Sequence, residues 1–179
     1  MSTESGWEGI LDDDEKILWQ GRPDGKFALE PKALIGGVFG VFFAAFAIFW
    51  MAMATMAPGP FWLFGLPFFF VGVSITYGAI YGPTMRRRNT WYTLTDRRAF
   101  IASKIPLKGK ELKSYPIEPD TELGFIEGDV STIHFATEQK RRHHESGRSS
   151  YYEVPVGFER IPEGRKVYGM IRDIQKGAE

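Results

Sequence analysis

Polar and hydrophobic positions follow different rules in different parts of this chain. From Ala33 to Met85 there is not one charged residue. The run breaks at Pro58-Gly59-Pro60, leaving apolar segments Ala33–Ala57 and Phe61–Pro83. Each has the about 20 residues or more that a helix needs to cross a hydrocarbon core of roughly 30 Å. Two transmembrane helices are therefore predicted, over residues 33–57 and 61–85, with Pro67 bending the second. After Arg88 the pattern shortens to alternating runs that predict strands at Thr90–Leu94, Ala99–Ser103, Lys113–Ile117, Glu122–Ile126, Ser131–Ala136 and Tyr151–Val156. Tight turns are expected at Thr95-Asp96-Arg97-Arg98 and Glu127-Gly128-Asp129, and a basic loop over Gln139–Ser150. Beyond Pro162, the apolar residues Val167, Met170, Ile171 and Ile174 recur at helical spacing.

The elements imply an α+β membrane protein in which a two-helix transmembrane hairpin carries an antiparallel sheet capped by a C-terminal helix. Its parts are a leader over residues 1–32, the two spans, and a domain over residues 89–176. Within the leader, Ile17-Leu18-Trp19 is an apolar triplet in acidic surroundings. Left exposed it would invite aggregation, so a short strand docking on the sheet is expected, against the rival of a helix lying in the headgroups.

Charge sets the orientation. Arg22, Lys26 and Lys32 precede the first span, Arg86-Arg87-Arg88 follow the second, and the turn between carries none. Positive flanks stay inside, which directs both termini to the cytoplasm. Trp50 and Trp62 bracket the turn, and Tyr77 and Tyr81 lie towards the inner face. Ala52-Met53-Ala54 resembles a cleavage site, but the acidic flank Asp12-Asp13-Asp14-Glu15 and the length of the apolar run speak for a retained span. Small residues recur four apart, at Gly36, Gly40 and Ala44 and again at Ser74, Gly78 and Gly82. Such stripes let helices approach closely, either within one hairpin or as a seam between copies.

Two motifs carry a resemblance. Trp91-Tyr92-Thr93-Leu94-Thr95-Asp96-Arg97-Arg98 resembles the first hairpin of bacterial pleckstrin-homology-like (PH-like) domains in small membrane proteins. Glu15-Lys16-Ile17-Leu18-Trp19-Gln20-Gly21-Arg22-Pro23 is similar to the segment before their spans. The order of motif, spans, hairpin, sheet and final helix also fits. The resemblance implies a PH-like domain tethered to the bacterial inner membrane and without catalytic activity. It would act as an adaptor or assembly factor for a membrane protein complex, or as a sensor of anionic lipid headgroups; an enzyme is the remaining alternative.

Composition narrows the chemistry further. The mean hydropathy of -0.20 hides the spans, because the 22 basic and 22 acidic residues lie outside them. The absence of cysteine excludes disulfides and thiolate chemistry. No glycine-rich phosphate loop, Gly-x-Ser-x-Gly elbow or His-Glu-x-x-His motif occurs. His143 and His144 adjoin, but lack the supporting ligands of a metal site; no cofactor and no metal are expected. Candidate lipid contacts are Arg86, Arg87 and Arg88 at the membrane flank, and Lys140, Arg141, Arg142 and Arg148 in the basic loop. The expected partners are the bilayer and a protein, whether another species or a second copy, and no nucleic acid. Arg97 and Arg98, flanking a surface turn, should each tolerate substitution, whereas Asp at Trp91 or Ile101 should collapse the domain.

Overall fold

A computed structural model of the chain describes residues 7–105, 109–143 and 149–177. The chain divides into two compact units: residues up to Asp24 with those from Arg88 onward, and Gly25–Arg87.

The second unit is a pair of helices, α1 (Pro31–Ala54) and α2 (Gly65–Arg88). Both are long and apolar enough to cross a membrane. Proline at the start of α1 fits its first turn, where an amide proton has no helical partner. The Pro58-Gly59-Pro60 break separates the helices, with Gly59 at φ 96° and a short 3₁₀ turn over Phe61–Phe64. Pro67 falls in the first turn of α2, where proline needs no break; the interior proline is Pro83.

The helices cross on glycine. A Cβ on Gly40 would lie 2.7 Å from the Thr76 amide nitrogen and 2.8 Å from the Gly72 carbonyl oxygen. One on Gly72 would meet the Ala44 nitrogen at 2.7 Å. The Gly36, Gly40 and Ala44 stripe thus faces α2, but its counterpart is Gly72, Thr76 and Ala79. Ser74 and Gly78 are exposed, and a Cβ on Gly78 or Gly82 would meet nothing within 4 Å. The expected second stripe is therefore one face away from the crossing: spacing of four fixes a face of a helix, not which face is used.

Among the described residues the first unit holds seven strands and one helix: β1 (Ile17–Gly21), β2 (Thr90–Thr95), β3 (Arg98–Ile105), β4 (Gly109–Pro116), β5 (Gly124–Ile126), β6 (Ser131–His143), β7 (Ser149–Ile161) and α3 (Gly164–Gly177). Two antiparallel sheets form, β1-β2-β3-β4 and β5-β6-β7, where one open sheet was expected. The Gln139–Ser150 segment is not simply a loop. Its ends extend β6 and β7 into a hairpin arm, with Lys140 opposite Tyr152 and Arg141 opposite Tyr151. Polar residues on both faces erase the period-two signal there, yet the backbone ladder continues.

Alternation sorts β1–β4 into two faces. Trp19, Tyr92, Leu94, Ala99 and Ile117 turn inwards and meet Ile133, Phe135, Phe158, Val167 and Ile171 from the second sheet and α3. Phe158 is the hub, with ring centroids 5.5 Å from Trp19, 4.8 Å from Tyr92 and 4.9 Å from Phe135. The leader is sewn along this body. Its strand β1 pairs with β2, Trp19 is buried and donates its indole N–H to Glu163 at 3.0 Å, and the Asp24 amide donates to the Arg160 carbonyl at 2.8 Å. Leu18 remains exposed and Ile17 half-buried, as alternation along a strand requires.

Candidate functional site

The β2–β3 turn is built by charge. Glu15, whose side chain is fully buried, accepts from the Arg98 guanidinium at 2.6 Å and from the Thr95 hydroxyl at 2.6 Å, while the Asp12 amide donates to it at 3.1 Å. Burial alone would raise the Glu15 carboxyl, but the hydrogen bonds from Arg98 and Thr95 outweigh it and hold it at about 2. The same carboxylate raises Arg98. Arg98 is thus a structural anchor, unlike the tolerant turn residue expected, whereas Arg97 is exposed and reaches Asp12 only at 3.7 Å. Trp91 is half-buried on the outer face, beneath the Arg22 guanidinium at 4.8 Å from the ring centroid, and is not part of the core.

Beside this turn an open cleft of 810 Å³ runs towards the C-terminal end of α3. Ile117 and Ile174 form a buried floor, with Leu18 and Met170 along it. Asp96, Glu118 and Asp173 line its rim against a single cation, Arg97. Gly177, the last described residue of α3, stands in the cleft wall. The chemistry offered is an apolar trough with a negative border, suited to a segment that carries aliphatic side chains and cations together. In the sequence Met170 and Ile174 fall on the apolar stripe of the helix, and spacing alone does not separate a buried face from one left partly open.

The residues expected to touch lipid scatter. Arg87 is 2 % exposed, pairs with Glu30 at 2.7 Å and donates to Thr84 at 3.1 Å, so it is a tie at the foot of the helix pair and unavailable to a headgroup. Arg86 and Arg88 are exposed. Lys140, Arg141 and Arg142 lie exposed on the β6–β7 arm beside the exposed Tyr151 and Tyr152; Arg148 and His144 lie outside the described residues. The arm is tied at its base by Glu138, which accepts from Lys113 at 2.7 Å and Tyr115 at 2.6 Å. These bonds lower the Glu138 carboxyl; the Tyr115 phenol is pushed up by burial and by the carboxylate beside it. Among the described residues no three His, Asp or Glu side chains gather to hold a metal ion. Compared with models of protein families, with curated proteins and with solved structures, the chain matches none.

Proposed function

We propose that this protein is a non-catalytic, PH-like module anchored by a helical hairpin in the inner membrane of a bacterium, both termini cytoplasmic, acting as an adaptor or assembly factor for a membrane protein complex. The observation that carries the adaptor reading is the cleft at the end of α3, whose apolar floor and acidic rim suit a basic amphipathic segment of a protein partner. The two helices support the anchor. Residues such as Ile35, Phe42, Phe49 and Phe70 are more than half exposed on them, an apolar exterior far beyond what a soluble monomer presents. The order of helix pair, hairpin, antiparallel sheets and final helix supports the PH-like reading.

A photo-crosslinking residue in place of Met170, in the full chain within its native membrane, tests the adaptor reading. A discrete crosslinked product is expected that is absent when the probe stands at Lys166 and that disappears with Asp173→Lys. Equal crosslinking from Met170 and Lys166, or a product indifferent to Asp173→Lys, would overturn it.

A further inference from the structure

The outer face of the four-stranded sheet carries a second feature, away from the α3 cleft. In β3, Arg98, Phe100, Ala102 and Lys104 share this face, and in β4 Lys110 and Leu112 stand opposite Lys104 and Ala102. Two lysines are therefore direct cross-strand neighbours, an arrangement that destabilises a sheet. Among the described residues neither has an ion-pair partner, and Glu111, next to Lys110, pairs with Lys113 at 3.7 Å. Beside the lysines lies a groove of 410 Å³ with Trp91, Leu112, Ile10 and Trp7 in its walls. Trp7 is fixed there by edge-on packing against Phe100 at 5.2 Å, and the Arg22 guanidinium lies over the Trp91 ring.

The chain joins both helices to this end of the sheet. The β1 strand ends at Gly21 and leads to α1; β2 begins at Thr90, one residue after α2 ends at Arg88. The Lys104 amide donates to the carbonyl of that intervening residue, Asn89, at 2.8 Å. Both connections to the helices thus leave from the sheet end that holds Arg22, Lys104 and Lys110.

We propose that this groove binds an anionic phospholipid of the leaflet to which the sheet is tethered. The lysine pair takes the headgroup phosphate, and Trp91, Leu112 and Ile10 cover the upper acyl chain. An anion between the lysines converts their repulsion into two attractions, and each cation near an anionic leaflet gains in the same sense. Tryptophan beside lysine suits the boundary of water and hydrocarbon. The proposal rests on the membrane anchor proposed above and is independent of the α3 cleft.

Lysine acetylation rates on the full chain provide the test, measured in nanodiscs of phosphatidylcholine alone and of phosphatidylcholine with phosphatidylglycerol. Labelling of Lys104 and Lys110 should slow several-fold in the anionic discs, while Lys166 on α3 changes little. High salt and Leu112→Ser should each restore it. Equal slowing at Lys166, or no slowing at the pair, would overturn the groove while leaving the anchor intact. Failure of the chain to enter discs of either composition would overturn the anchor and the tether argument with it.

Discussion

Strand β3 carries a cation at each end of one face, and the two ends are treated in opposite ways. At one end the Arg98 side chain meets Glu15 and Asp12, and its amide donates to the Thr95 hydroxyl. At the other, Lys104 faces Lys110. Strand, exposure to the same side and sign of charge are shared, so the difference lies in what each cation is for. A guanidinium forked onto a buried carboxylate fixes the leader to the hairpin. A pair of like charges fixes nothing in the fold and costs stability, which is the mark of a position kept for something outside it.

The largest expected effect breaks the matched end. Glu15 is held at about 2 against an ordinary value of 4.5, so its ionised form is favoured in the folded state. Its contribution is complete above about pH 4.5 and is lost as pH falls from there towards 2, amounting to roughly 3 kcal/mol. Glu15→Gln should lower stability by about 2 kcal/mol at neutral pH, because the partly buried Arg98 keeps only the exposed Asp12 as counter-charge, at 3.0 Å. It should also flatten the pH dependence between 4.5 and 2. Chemical denaturation of the detergent-solubilised protein across that range checks both outcomes.

A smaller effect of opposite sign probes the unmatched end. Lys110→Glu replaces a like-charged cross-strand pair by an attractive one and should raise stability by about 0.2–1 kcal/mol. The same change should weaken retention of phosphatidylglycerol. Gaining stability while losing lipid separates a binding residue from a structural one, and a loss of stability would contradict the assignment.

The smallest effect calibrates the comparison. Arg97 adjoins Arg98 but is exposed and 3.7 Å from an exposed Asp12. Arg97→Ala should change the unfolding free energy by less than about 0.5 kcal/mol, against the larger loss expected for Arg98→Ala in the same assay.

These contrasts also mark how far the chain could be read before its structure was known. The helix pair, most strands, the Glu127-Gly128-Asp129 turn and the docking of the leader at Trp19 are legible because each is written in local period or in an apolar residue with nowhere else to go. Arg97 and Arg98 look alike in sequence, since their difference comes from Glu15, 83 positions away for Arg98. Trp91 reads as core because it is large and apolar, and only the parity of β2 sends it outwards. The Lys140–Arg142 arm reads as loop because polar side chains on both faces leave no alternation to detect. The cleft and the lysine groove arise from strands and a helix distant in sequence, so neither leaves a local motif.

Lipid binding on the outer sheet face depends on the helix pair crossing a membrane with both connections on one side. Because the chain has no cysteine, single-cysteine accessibility measures this without background. The account predicts that a membrane-impermeant thiol reagent labels Pro58→Cys in intact cells but labels Lys166→Cys only after the membrane is opened. Labelling of Lys166→Cys in intact cells, or of both positions together, would contradict it.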